Sequence, residues 1–130
     1  QKRLRRSQYD SFSLGFQEGL GNAYTKNNIS ILALSGRFDA HLAPNIKEWL
    51  TSIQATSQPK AVINLANVHF IDSAALAVLV SGMKNCRQKN GDLVLCELKQ
   101  SVRIIFELTR LDSAFMIYEN ETMAIQALTV

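Results

Sequence analysis

Residues 61–83 read AVINLANVHFIDSAALAVLVSGM, and two periods meet inside that run. Up to Ile71 the apolar residues Val62, Ile63, Leu65, Val68, Phe70 and Ile71 alternate imperfectly with polar ones, the pattern of a strand with little solvent on either face. Beyond it, Leu76, Leu79, Val80 and Met83 follow the i, i+3, i+4, i+7 spacing of one packed helix face. The period changes at Ser73. Asp72 or Ser73 is placed to cap the new helix with a side-chain oxygen. Either choice leaves Ser73 in the first turn, where unpaired N–H groups and the positive end of the macrodipole favour an anion.

Working outward, the run NISILALSGRFD has apolar residues on both sides of an extended chain from Ile29, which predicts a strand covered on both faces and ending at Gly36. Pro44 suits the first turn of a helix that carries Ile46, Trp49, Leu50 and Ile53 on one face, before Ser57, Gln58 and Pro59 break the pattern. Downstream of Met83 the helix closes with Lys84, Arg87 and Lys89 near its negative end and Gly91 as a left-handed cap. A strand at 93–98 follows, then a helix capped by Ser101 with Val102, Ile105, Phe106 and Thr109 on one face. A short strand at 115–118 and a helix at 121–128 complete the chain. Strand and helix alternate with short linkers, which predicts right-handed crossovers and an α/β layered domain. Residues 1–26 read as a basic and polar tail leading into an edge strand or hairpin arm.

At 130 residues the chain has room for one hydrophobic core and no comfortable second one. Its 47% hydrophobic and 19% charged composition is that of an ordinary globular domain, and no apolar run reaches the roughly 20 residues of a membrane helix. The net charge of +3 owes much to Lys2, Arg3, Arg5 and Arg6, since the remaining chain has ten cations against eleven acids. The tail QKRLRR is therefore read as solvated, with no direct nucleic-acid or membrane partner expected. No apolar stretch follows these cations as in a secretory signal, and a cytoplasmic location is expected. Cys86 and Cys96 lack metal-ligand spacing and read as reduced, buried thiols, so no metal and no cofactor is expected.

Catalysis has little support in the residues. A hydrolase elbow needs glycine two residues to either side of its serine, and Ser73 has Ile71 and Ala75 there. His69, four residues upstream in a strand, lies roughly 13 Å from Ser73 at about 3.3 Å per residue. It is read as a strand-end residue bonded to backbone. His41, in a turn after Asp39, can reach the same end of the sheet from a neighbouring loop. No enzymatic activity is expected. The small residues Ala74, Ala75 and Ala77 leave the Ser73 hydroxyl open to an approaching protein, although they also suit close helix–sheet packing.

Four ordered segments, SGRFD at 35–39, INLANVHFIDSAALAVLV at 63–80, GDLVLCEL at 91–98 and VRIIFELTRLDSAFMIYENETMAIQAL at 102–128, resemble the STAS domains, in particular the bacterial anti-sigma factor antagonists. The resemblance implies a STAS-like single domain over 27–130, with a mixed, mostly parallel sheet of four to five strands packed with about four helices. In that family the motif is typically Asp-Ser-Ser-Gly-Leu-Gly, and the serine after the aspartate is phosphorylated by an anti-sigma factor that is itself an ATP-dependent serine kinase. Asp72 and Ser73 match the first two positions, while Ala74 and Ala75 replace the second serine and the glycine. The glycine replacement is expected to add a methyl near the hydroxyl. The resemblance further implies that the unmodified protein binds the kinase and frees a sigma factor, and that a serine phosphatase of the PP2C type reverses the modification. Asp39, His41, Asp72, Ser73, Ala74 and Ala75 are the residues expected to meet the partner. A different reading remains open, a STAS module of an anion transporter or sensory assembly that docks without phosphorylation. The opening Gln in place of Met leaves room for it.

Overall fold

The computed structural model of the protein describes residues 21–129. In chain order the elements are β1 Gly21–Lys26, β2 Ile29–Phe38, α1 Ala43–Ile53, β3 Lys60–Ile71, α2 Ser73–Gln88, β4 Asp92–Cys96, α3 Gln100–Leu108, one 3-10 turn at Leu111–Ser113, β5 Ile117–Tyr118 and α4 Glu121–Leu128. The spatial order of the strands is β1-β2-β3-β4-β5, with β1 antiparallel to β2 and every later pair parallel. This is the mostly parallel, helix-covered sheet that the alternating pattern predicts, with the mixed strand directions and four helices that the resemblance implies. Asn27 and Asn28, at φ 55° and 65°, form the two-residue hairpin turn between β1 and β2. Two successive positive φ values are what such a turn needs, and asparagine tolerates them better than most residues.

Each crossover steps one strand in the same direction, so a constant right hand delivers α1, α2 and α3 to one face. Their buried residues Ile46, Leu50, Leu79, Met83, Val102 and Phe106 join Leu32, Leu34, Ile63, Leu65, Leu93 and Leu95 of the sheet in one core. Phe106 meets Phe115 edge-on, with ring centroids 5.7 Å apart. On the opposite face α4 places Ala124, Ile125 and Leu128 against Ile29, Ile31, Val62 and Val94. Glu121, the first residue of α4, accepts hydrogen bonds from the Tyr24 hydroxyl and from Asn64 Nδ2, the latter at 2.8 Å. That tie fixes α4 to both β1 and β3. Cys86 and Cys96 are buried free thiols, pushed up to about 11 and about 12 by burial and then by neighbouring carboxylates.

Several boundaries differ from the sequence expectation. β2 does not end at Gly36 but continues to Phe38, because Gly36, at φ 85°, sits at a register shift that β3 accommodates with an extra residue. α3 begins at Gln100, with Lys99 as its N-cap, so Ser101 lies inside the first turn and does not cap. The left-handed residue after α2 is Asn90, at φ 65°, not Gly91. Gly91 N–H reaches Cys86 O at 2.9 Å and Asn90 N–H reaches Arg87 O at 3.1 Å, the paired bonds of a Schellman closure. Glycine at 91 serves another purpose: a Cβ there would stand 1.7 Å from the Pro59 carbonyl oxygen. The last strand is shorter than 115–118, since only Ile117 and Tyr118 pair with β4. The expected tail over residues 1–20 lies outside the described residues. Among the described residues no helix is long and apolar enough to cross a membrane.

Candidate functional site

The strand-to-helix handover falls where the sequence places it, at the C-terminal ends of β2 and β3. Asp72, extended at φ −115° and ψ −178°, is the N-cap of α2. Its Oδ1 accepts from Ala75 N–H at 2.9 Å. Its Oδ2 accepts from Ala40 N–H, also at 2.9 Å, in the loop that leaves β2. The main chain adds a bond from Asp72 N–H to Phe38 O at 3.3 Å. One carboxylate thus starts the helix and clamps the neighbouring loop to it. Of the two capping choices open in the sequence, the geometry takes Asp72.

That choice leaves Ser73 as the first helical residue, exposed, with a hydroxyl that makes no hydrogen bond to another described residue. Asp72 occupies the Ala75 N–H, while the N–H groups of Ser73 and Ala74 donate to no other described residue. An oxyanion on Ser73 Oγ would meet those two donors and the positive end of the α2 dipole. Ala74 is half-buried, and Ala75 is fully buried at 0% exposure in the core. This corrects the expectation that Ala75 is among the residues that meet a partner. The third position of a helix capped at Asp72 turns toward the sheet, so its methyl packs inward.

Across the loop, Asp39 Oδ1 accepts from His41 N–H at 3.1 Å and Leu42 N–H at 3.3 Å. A desolvation effect that acts upward on the Asp39 carboxyl is outweighed by those two bonds and by Arg37, 3.5 Å from Oδ2, and its pKa is lowered. The Arg37 guanidinium also stacks on Phe70, 3.8 Å from the ring centroid. His41 is exposed. Asp39, His41, Asp72, Ser73 and Ala74 therefore share one end of the sheet. His69 does not make the backbone bond expected of it: its exposed ring has no hydrogen bond to another described residue. Among the described residues no group of three or more His, Cys, Asp or Glu side chains is placed to hold a metal ion.

Replacing Asp72 by Ala removes a cap, typically about 1 kcal/mol, and a charge-assisted bond to Ala40 of similar size. The expected loss is about 2 kcal/mol in urea unfolding, with Asp72→Asn losing less because one acceptor oxygen survives. Wild-type stability in Asp72→Ala would show that the clamp contributes nothing.

Sequence reasoning missed a groove between α1 and α2. It has a volume of about 280 Å³ and is walled by Lys47 and Thr51 on α1, by Gln54 just beyond its end, and by Ala77, Ser81 and Asn85 on α2. A signal was present, since no charged residue occurs between Ser73 and Met83 in a helix with one face open to solvent.

With this geometry in place, the STAS domain model matches residues 22–124. The chain belongs to the STAS domain family. Among STAS relatives, the anti-sigma F factor antagonist of Paenibacillus polymyxa is 29% identical over 103 residues, which is 78% of this chain and 88% of that protein. The anti-sigma-B factor antagonist of Listeria monocytogenes is 36% identical over 78 residues, covering 60% of this chain and 68% of the relative. The Bacillus protein SpoIIAA, solved as an unphosphorylated anti-sigma factor antagonist, superposes with a TM-score of 0.70 at 21% identity, over 82% of this chain and 94% of its own. Its phosphorylated form superposes with a TM-score of 0.66 at 18% identity, over 82% and 97%. At that identity the likeness to SpoIIAA is one of STAS fold.

Proposed function

We propose that the protein is an anti-sigma factor antagonist that works by partner switching at Ser73. In the unphosphorylated state the end of the sheet formed by Asp39, His41, Asp72, Ser73 and Ala74 docks on an anti-sigma factor serine kinase, which then lets go of its sigma factor. The kinase transfers the γ-phosphoryl group of ATP to Ser73 Oγ: the bond to ADP breaks, an O–P bond forms, and the hydroxyl proton passes to the kinase. A serine phosphatase of the PP2C type hydrolyses the ester and restores the binding form. The protein itself catalyses none of these steps, and its place of action is the cytoplasm.

The observation that carries this reading is the Ser73 hydroxyl itself, exposed and unbonded to any other described residue, on the first turn of a helix whose cap is already filled by Asp72. A serine needed only as a cap would have its oxygen on the N–H of Ala75 or Leu76, and both of these donate to Asp72. The relatives named as anti-sigma factor antagonists support the choice of partner. A phosphate adds about −1.5 to −2 charges and three acceptor oxygens. The unpaired N–H groups of the α2 first turn accommodate it in the free protein, so the switch acts at the interface, where that charge would have to be desolvated. Incubation with a purified kinase-type anti-sigma factor from the same organism and ATP, followed by peptide mass spectrometry, tests the proposal. One phosphoryl group on Ser73 is expected. An unmodified Ser73 beside label at another residue would remove the mechanism.

A further inference from the structure

Ser73, Ala77 and Ser81 are exposed and follow one another at i, i+4 spacing, so they form one column along α2. Ala77 and Ser81 are also the α2 wall of the groove, which makes the groove a continuation of the Ser73 surface. Its depth has a structural cause. Gly82 lies beneath it, and a Cβ there would stand 2.7 Å from Leu50 Cδ1, so the missing side chain allows α1 and α2 to approach over a floor that includes Leu50. The one charged residue in the lining is Lys47, which forms no ion pair with a described residue. Uncharged Thr51, Gln54, Ser81 and Asn85 supply the remaining polar groups.

We propose that this groove is the second half of the docking surface, and that the anti-sigma factor fills it with an apolar side chain next to a carboxylate that pairs with Lys47. The inference rests on the proposed function and extends it to a second set of contacts. Eight helical rises, from Ser73 to Ser81, span about 12 Å. A protein–protein interface of ordinary size covers about 800 Å² on each partner, a disc of radius about 16 Å. A partner seated on Ser73 therefore reaches the groove without needing an unusual footprint. Charge decides the chemistry of what enters: an unpaired cation among neutral walls accepts an acid and rejects a base, while the Leu50 floor favours an aliphatic group.

The test is the affinity of a purified kinase-type anti-sigma factor from the same organism for the wild type, Lys47→Glu, Ser81→Trp and Leu108→Lys. Charge reversal at exposed Lys47 is expected to weaken binding by about tenfold and to reduce the dependence of affinity on salt. Filling the groove with Ser81→Trp is expected to cost more than about tenfold. Leu108→Lys, at an exposed site on α3, is expected to bind as the wild type does. Should the wild type bind and both groove variants match it, the groove inference fails while the Ser73 mechanism stands. Should the wild type neither bind nor become phosphorylated, the proposed function fails and takes the groove with it. Lys47→Glu keeps the question answerable if tryptophan at 81 lowers stability.

Discussion

Ser73→Asp will weaken binding to the anti-sigma factor by at least about 100-fold, whereas Ser73→Ala will stay within about threefold of the wild type, as measured by titration calorimetry. The asymmetry follows from where the charge sits in each state. In the free protein a carboxylate at the first position of α2 lies in water beside unpaired N–H groups, where the dipole offers about 0.3–1 kcal/mol of stabilisation. The Asp72 carboxylate next door opposes part of that, so the folding stability of Ser73→Asp should remain within about 1 kcal/mol of the wild type. In the proposed interface the same group loses its water on docking. An uncompensated buried charge costs about 3–5 kcal/mol, and 3 kcal/mol is already more than 100-fold in affinity. Alanine removes one hydroxyl and introduces no charge. Equal affinities for the two variants would eliminate charge exclusion as the basis of the switch.

Gly91→Ala will destabilise the fold by at least about 3 kcal/mol, with a fall of roughly 10 °C in the unfolding midpoint. The added Cβ would stand 1.7 Å from Pro59 O and 2.6 Å from Pro59 C, both backbone atoms that cannot rotate away. Pro59 O also accepts from Asp92 N–H at 3.0 Å, at the start of the β3–β4 pairing. Making room for the methyl means breaking that bond or moving the end of α2. Asn90→Gly is the informative contrast. Asn90 carries the positive φ of the helix closure, so glycine there relieves backbone strain at the cost of a freer unfolded chain, and stability should change by less than about 1 kcal/mol. Urea unfolding of both variants measures the difference. An unperturbed Gly91→Ala together with a damaged Asn90→Gly would mean that the conformational role belongs to neither residue as described.

The two glycines the sequence singles out, Gly36 and Gly91, show where linear reading stops. Both look like terminators. Gly36 lies within a strand at a register shift set by β3, and Gly91 is small because a proline more than thirty residues earlier passes over it. The apolar stripe of α1 was fully legible, with Ile46, Trp49, Leu50 and Ile53 all buried as their spacing predicts. Asp72 and Ser73 were legible as a pair, but their division of labour was not. The deciding contact is the Ala40 N–H, which belongs to another loop. Ala75 was misassigned to the surface for the same reason: a small residue fits an open face and a tight core equally well, and only packing against the sheet distinguishes them.

What residue order determined unaided is the alternation of strands and helices, the change of period at Ser73 and the family likeness of the segments around it. These are properties of neighbours along the chain, since strand and helix periods are written within a single element. The tertiary structure alone decided that Asp72 caps while Ser73 stays open, that Ala75 faces inward, and that α1 and α2 leave a groove continuous with the hydroxyl. Those outcomes depend on the register and close approach of elements separated by tens of residues, and no local period encodes the distance between two surfaces.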